Sequence, residues 1–389
     1  MIDRTVFVSR RNLLARGAFI GGLALHPRLA LAAAGTDARL VFIILRGAMD
    51  GLAAIPPLND NRLEKLRGQL AAPPAQLGAP IKLTADFAAH PALAGFAGLF
   101  AAGEAAVVHA IASPYRERSH FDAQNILETA GNAAYAVKDG WLNRLLPLLP
   151  AQSPAVALSA TLPALLQGAA PATSFAPSRL PDASAGLKVR VAALYEADPL
   201  LHRLWSDAIA TEMMAGASGS ADGPGNSAAL AATAARLLAD ASGPRIAVLD
   251  MGGWDTHAGQ AQRLNNQLRQ LDGVFAALKS GLGAAWSNTL VIAATEFGRT
   301  VAANGTGGTD HGTASAALLA GGRVAGGKVH GDWPGLDRLF QDRDLMPTSS
   351  LNALFAGAVA GLFGLDPELV VRRAFAAAPA KAMTGIIRT

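Results

Sequence analysis

The chain contains no cysteine. This excludes disulfides and thiolate ligands together, so a metal here would have to be held by Asp, Glu, His, Ser or Thr. Charged residues are sparse at 16% and aromatic residues sparser at 6%, against 51% hydrophobic. A composition of that kind excludes a disordered chain, and 389 residues can bury a large core. An excess of positive charge is also missing from most of the chain. Five arginines and one aspartate within residues 1–34 account for the whole formal net charge of +4, and residues 35–389 hold equal numbers of basic and acidic side chains. The pI near 9.6 therefore implies no nucleic-acid surface on that part. The apolar stretch near residues 18–25 is short and interrupted by Gly21 and Gly22, with Pro27 just beyond, so no stable membrane span is expected.

The N-terminus has the plan of an export signal instead. Ser9-Arg10-Arg11-Asn12-Leu13-Leu14, the apolar stretch 18–25 and the alanine-rich residues 30–34 supply its three regions, with paired arginines at the front. Residues 1–34 are expected to be a twin-arginine signal peptide cleaved after Ala32 or Ala34. The export machinery is then a partner, and the location is periplasmic or secreted. That route carries proteins already folded, often with a cofactor in place, which suits a metal site.

Apolar runs alternate with helical segments along the rest. Residues 39–45, 105–112, 245–250, 291–294 and 314–319 read as buried strands, with 155–158 as a shorter one. Helices are expected over about 90–102, from Ser119, from 139, over 260–282, near 349–363 and over 367–375. The alternation predicts an α/β fold, a mostly parallel central sheet with helices on both faces, over residues 35–389 as a single domain. Gly, Ser and Pro cluster at 213–226 and predict a flexible loop. Ligand candidates lie on both sides of it, so the two halves are expected to share one sheet.

In such sheets ligands gather beyond the carboxyl ends of the strands. Asp50 follows the first strand between Gly47 and Gly51, and could equally cap the next helix. Asp255 and His257 stand two residues apart after the strand at 245–250, close enough to reach one cation. Glu296 ends the strand at 291–294, and Asp310 and His311 follow a glycine-rich gap. Ser119 opens a helix after the strand at 105–112. A hydroxyl there reads as a cap or, in the positive field of a helix N-terminus, as a nucleophile. His120 reads as a helper or a packing residue. His109, inside an apolar run, reads as a core histidine, His90 as structural, and His330 stays outside the metal shell. These donors suffice for one or two divalent ions, zinc first where histidine is present and Mg, Mn or Ca where carboxylates dominate. No Gly-x-Ser-x-Gly follows a predicted strand and no His-Glu-x-x-His is present, which disfavours a serine hydrolase elbow and a protease zinc helix.

Leu45-Arg46-Gly47-Ala48-Met49-Asp50-Gly51, Ser119-His120-Phe121-Asp122, Gly252-Gly253-Trp254-Asp255-Thr256-His257, Thr295-Glu296-Phe297-Gly298-Arg299-Thr300 and Gly308-Thr309-Asp310-His311-Gly312, in this order behind paired arginines, resemble the DUF1501 family of exported bacterial proteins. That family is similar to the alkaline phosphatase and sulfatase superfamily. The resemblance implies an alkaline-phosphatase-like fold, a two-metal centre and a hydroxyl nucleophile. Carried over by position, Asp50 and Glu296 would serve the metal beside Ser119, while Asp255, His257 and His311 would serve the other, with Asp310 bridging or orienting. Ser119 would attack phosphorus or sulfur, with Arg46, Arg116, Arg118 or Arg299 on the equatorial oxygens. Glu296-Phe297 stands where the superfamily has an Asp-His pair, which implies a second metal that is weak, replaced by a harder ion or absent. The function implied is metal-dependent hydrolysis of a small or glycan-linked phosphate or sulfate ester. The alternatives are an exported metal-binding or scaffold protein without turnover, and a transferase or isomerase acting on glycans.

Overall fold

The computed structural model describes residues 36–149, 155–176, 183–198, 201–202, 205–206, 209 and 227–388. The signal expected at 1–34 and the loop expected at 213–226 lie outside these. Among the described residues the strands are β1 (Arg39–Leu45), β2 (Ile81–Lys82), β3 (Ala88–Ala89), β4 (Ala105–Ala112), β5 (Ala155–Ala157), β6 (Thr173–Ser174), β7 (Ile246–Met251), β8 (Thr289–Ala294), β9 (Ser315–Ala320), β10 (Lys328–His330) and β11 (Ser349–Ser350). The helices are α1 (Gly51–Ala54), α2 (Arg62–Arg67), α3 (Ala94–Ala101), α4 (His120–Thr129), α5 (Trp141–Leu145), α6 (Ala185–Tyr195), α7 (Ser227–Ala239), α8 (Gln260–Leu282), α9 (Leu351–Phe363) and α10 (Pro367–Ala374).

β1 is apolar along its length because it is covered on both faces. It pairs in parallel with β7 on one side and β8 on the other. Val41, Ile43 and Leu45 enter one core and Leu40, Phe42 and Ile44 the other, as the two-residue period of a strand requires. On the first face lies α8, whose Leu264, Leu268, Leu271, Phe275, Leu278 and Leu282 recur every three or four residues. α3 and α7 join it there. On the second face Trp141 of α5 stacks on Phe355 of α9, with ring centroids 5.3 Å apart, and on Phe375 at 5.1 Å.

The strand order is β10-β4-β9-β8-β1-β7-β5-β6, with β11 beside β10 on the same edge of β4. Strands from both sides of residues 213–226 belong to this one sheet. It is mostly parallel, and β9 alone runs against its neighbours β4 and β8. That single reversal matters for the site. The parallel strands present their C-terminal ends at one edge, and β9 brings its N-terminal end to the same edge. The segments after β1, β4, β7 and β8 therefore meet the segment before β9.

Two histidines away from that edge are locked neutral. His109 of β4 donates from Nε2 to the Ile55 carbonyl (2.9 Å) and accepts the Ala110 N–H at Nδ1 (2.8 Å), so its two ring nitrogens are both used. Burial pushes its pKa down to about 4. His90 accepts the Ala92 N–H, and burial likewise lowers it to about 4. An unfolded imidazole binds its proton near pH 6.5, so between that value and about 4 the unfolded state holds more protons and stability falls with falling pH. Above pH 6.5 neither contributes a slope. For His109 the full effect is on the order of 3 kcal/mol. Denaturant unfolding of the chelated protein at a series of pH values is expected to show this loss, and His109→Gln to flatten it across the window.

Candidate metal centre

Three imidazoles converge at the sheet edge. His311, on the segment before β9, places Nε2 2.9 Å from Nε2 of His120 and 2.9 Å from Nε2 of His257. Asp255 completes the group. Its Oδ1 lies 3.1 Å from His257 Nε2 and 3.5 Å from His311 Nε2, and its Oδ2 lies 3.5 Å from His120 Nε2. His120, Asp255 and His311 offer ligand atoms within 4.8 Å of one another.

The opposite ring nitrogens are each held by an acceptor. His120 Nδ1 faces Glu296 Oε1 at 2.8 Å, His257 Nδ1 faces Asp310 Oδ1 at 3.0 Å, and His311 Nδ1 faces the Arg118 carbonyl at 3.0 Å. Each partner can only accept, so each Nδ1 carries the proton. In the neutral tautomers this sets the Nε2 lone pairs of His120 and of His257 each against that of His311, an arrangement that repels unless a cation or protons lie between them. Protonated Nδ1 on an acceptor and bare Nε2 toward a common point is the pattern by which histidines hold a metal. The charges agree with it. Asp255, Glu296 and Asp310 stand against the one guanidinium of Arg299, a surplus of two negative charges that a divalent ion cancels. Imidazole donors with one carboxylate suit zinc, in a tetrahedral shell.

The local sequence builds this geometry. Glu296 is fully buried. Burial would push its carboxyl up, but hydrogen bonds from His120, Gln124 and the Gly47 N–H outweigh that and hold it below the usual range. The same bond from Glu296 raises the His120 pKa, against burial, while burial and the nearby His120 lower that of His311. Asp255 is depressed. Burial opposes this, and Arg299 at 2.6 Å with His257 prevails. Asn304 and His257 hold Asp310 low. Phe297 stacks on His120, with centroids 4.9 Å apart, and packs on His311 at 5.2 Å, fixing the planes of both rings. Gly308 and Gly312 flank the Asp310-His311 pair for steric reasons. A Cβ on the first would meet the carbonyls of Thr256 and His257, and one on the second the backbone of Arg299.

The residues expected from sequence separate into those at the centre and those around it. Asp255, His257 and His311 meet directly. Glu296 and Asp310 stand one shell out, each orienting an imidazole. Asp50, expected as a ligand, bonds elsewhere: Oδ2 takes Arg67 Nη1 and Gln260 Nε2, both at 2.6 Å, and Oδ1 caps α1 at Ala53 N. A guanidinium thus neutralises it in a site closed to solvent. Arg46 and Arg299, expected on substrate oxygens, are occupied. Arg46 pairs with Glu128 (2.8 Å) and Asp250 (3.0 Å), and buried Arg299 bonds Asp255 and both Thr309 oxygens. Ser119 precedes α4 with extended backbone angles and makes no side-chain capping bond. His120, read as a helper or packing residue, is the third converging imidazole. Its position one residue past a strand-fed loop was the available signal. Asp344 had none. Fully buried, it accepts Arg118 (2.7 Å) and Thr313 (2.8 Å) at Oδ2, tying the residue before Ser119 to the segment just after His311, while Arg343 lies 3.1 Å from Oδ1 as an ion pair.

A family model described as "Protein of unknown function (DUF1501)" matches residues 105–374. No curated protein matches the chain. Among solved structures, the chain is similar to the C-terminal periplasmic domain of EcEptC from Escherichia coli in complex with Zn, at 10% identity, covering 91% of this chain and 93% of that one, with a TM-score of 0.43. It is similar to the lipoteichoic acid synthase LtaP from Listeria monocytogenes at 9% identity, covering 89% and 76%, with a TM-score of 0.41. Alkaline phosphatase from the Antarctic bacterium TAB5 is similar at 12% identity, covering 73% and 91%, with a TM-score of 0.36.

The centre predicts about one divalent ion per chain by elemental mass spectrometry of protein purified without chelator. His120→Ala, His257→Ala and His311→Ala should each weaken zinc binding by more than the ~10–100-fold typical of outer partners. Affinity should fall as pH falls, because protons compete at Nε2, and His120 should hold its proton to a higher pH than a free imidazole. Competition titration with a zinc indicator at several pH values checks both.

Proposed function

We propose that this chain, which belongs to the DUF1501 family, is a metalloenzyme with one divalent ion that hydrolyses phosphate or sulfate esters. Residues 35–389 would form one domain delivered to the periplasm or beyond by the twin-arginine machinery. The observation that supports the reading most is the convergence of three Nε2 atoms, each with its Nδ1 held by an acceptor. An ion held by His120, Asp255 and His311, with His257 beside them, would supply Lewis acidity to an ester oxygen and to water.

The side chains of Asp255 and His257 are 43% and 42% exposed, so the centre has an open face. A catalytic site needs such a face, whereas structural zinc sites are closed. Ser119, adjacent to His120, is the proposed nucleophile. Its carbonyl accepts the Ala123 N–H, while its hydroxyl makes no capping bond and lies against the Tyr115 hydroxyl. The serine oxygen would bond to phosphorus or sulfur, and the alcohol would leave with the serine proton. Water would then cleave the covalent ester and restore the hydroxyl. A cavity of about 950 Å³ lies beside the centre rather than at it, lined by Asp60, Glu64, Gln69, Gln262 and Gly307 among others. No Lys, Arg or His lines it among the described residues, so it does not suit the anionic group of an ester.

A second reading, a metal-binding protein without turnover, is favoured by the occupied arginines. Arg46, Arg118 and Arg299 all carry carboxylate partners, which leaves no free guanidinium among these three for the equatorial oxygens. Assay of the zinc-loaded protein on a panel of phosphate and sulfate esters separates the two. Under the enzyme reading, Ser119→Ala keeps its metal and loses about a hundredfold or more in kcat. A fully loaded protein inert on the whole panel would leave the binding reading standing.

A further inference from the structure

Gln260 opens α8 and is 1% exposed, yet its three polar contacts all run toward the metal centre or the buried Asp50–Arg67 pair. Its Nε2 donates to Asp50 Oδ2 at 2.6 Å. Its Oε1 accepts two hydroxyls, Thr256 at 3.0 Å and Thr309 at 2.6 Å. The amide orientation follows from these partners, because the flipped amide would set its oxygen against a carboxylate oxygen.

Both threonines are fully buried and both adjoin the converging ligands. Thr256 lies between Asp255 and His257, and Thr309 precedes Asp310 and His311. One amide oxygen thus ties the segment after β7 to the segment before β9. Bond direction extends the tie. Since Thr309 gives its proton to Gln260, its hydroxyl oxygen can accept Arg299 Nε at 3.2 Å. Arg299 in turn directs Nη1 at Asp255 Oδ1, at 2.6 Å. The donors run one way, from Arg299 through Thr309 and Gln260 to Asp50, and Arg67 anchors the far end through Asp50, Thr300 O and Val301 O. Bonds aligned in this way polarise one another in a dry interior.

We propose that Gln260 is the positioning residue of the centre: it staples the two ligand-bearing segments together and, through Thr309, fixes Arg299 so that Asp255 is aimed at the three imidazoles. This rests on the metal reading above. Gln260 does not touch the ligand nitrogens, and its effect passes through Thr256 and Thr309.

The test compares Gln260→Met, Thr256→Val, Thr309→Val and the double threonine variant by zinc competition and by the visible absorption of the cobalt(II)-loaded protein, at a temperature where circular dichroism shows each folded. Gln260→Met should bind zinc about 10–100-fold more weakly, the range for partners outside the ligand set. Its cobalt bands should shift or weaken, since they report coordination geometry rather than stability. Each threonine variant should show part of the loss. Added to Gln260→Met, Thr256→Val should cost little more, because it acts through the same amide, whereas Thr309→Val also removes the acceptor of Arg299 Nε. Wild-type zinc affinity and an unchanged cobalt spectrum in folded Gln260→Met would overturn the proposal while leaving the metal reading intact. Should Gln260→Met not fold, wild-type affinity and spectrum in the double threonine variant would overturn it. Wild-type protein that takes up neither ion would overturn the metal reading, and this inference with it.

Discussion

Two imidazole nitrogens each set against that of His311 are unstable company, and the surrounding structure is arranged to hold them there. His120, His257 and His311 could relieve the repulsion by turning, and each is prevented by an acceptor on its far side. Those acceptors are held in their turn. Glu296 is fixed by Gly47 N–H, Gln124 and the neighbouring Thr295, Asp310 by Asn304, and the Arg118 carbonyl by a positive backbone φ of 63° together with the Asp344 clamp. A non-glycine residue in that region carries backbone strain, which is tolerated where the surroundings over-determine it. The strain here falls on the residue whose carbonyl orients a ligand.

Charge is concentrated in the same place. In a chain with few charged residues, Arg67–Asp50, Arg299–Asp255, Arg46–Glu128 and Arg118–Asp344 all sit under or around this edge of the sheet. Buried pairs add little net stability, because desolvation consumes most of the Coulomb attraction, whereas removing one partner is costly. Their effect is therefore on geometry. Each guanidinium bonds at least one segment distant in sequence, and apolar packing could not impose those directions.

Much of the scaffold was legible in the residues. β4 and α8 coincide with a long apolar run holding a single histidine and a regular amphipathic pattern, the signals least open to a second interpretation. The reversed direction of β9 was not, because strand polarity leaves no trace in a six-residue run buried on both faces. At the site, the edge rule gathered the right segments but could not rank residues within them. Asp50 and His120 both follow strands, and what separates them is buried Arg67, which comes from the end of α2 and which no motif marks. Asp344 and Gln260 act mainly through contacts with residues distant in sequence, and neither belongs to a motif.

The direction of β9 has a consequence for how the centre comes into being. His120, Asp255, His257 and His311 lie on three segments that meet only after β9 has inserted between β4 and β8. Pairings between such distant parts of a chain form late in folding, since the loops between them must close first. A growing or unfolded chain therefore offers an ion little more than one Asp-x-His pair. The four side chains come together only in the finished fold, and displacing β9 would disperse them.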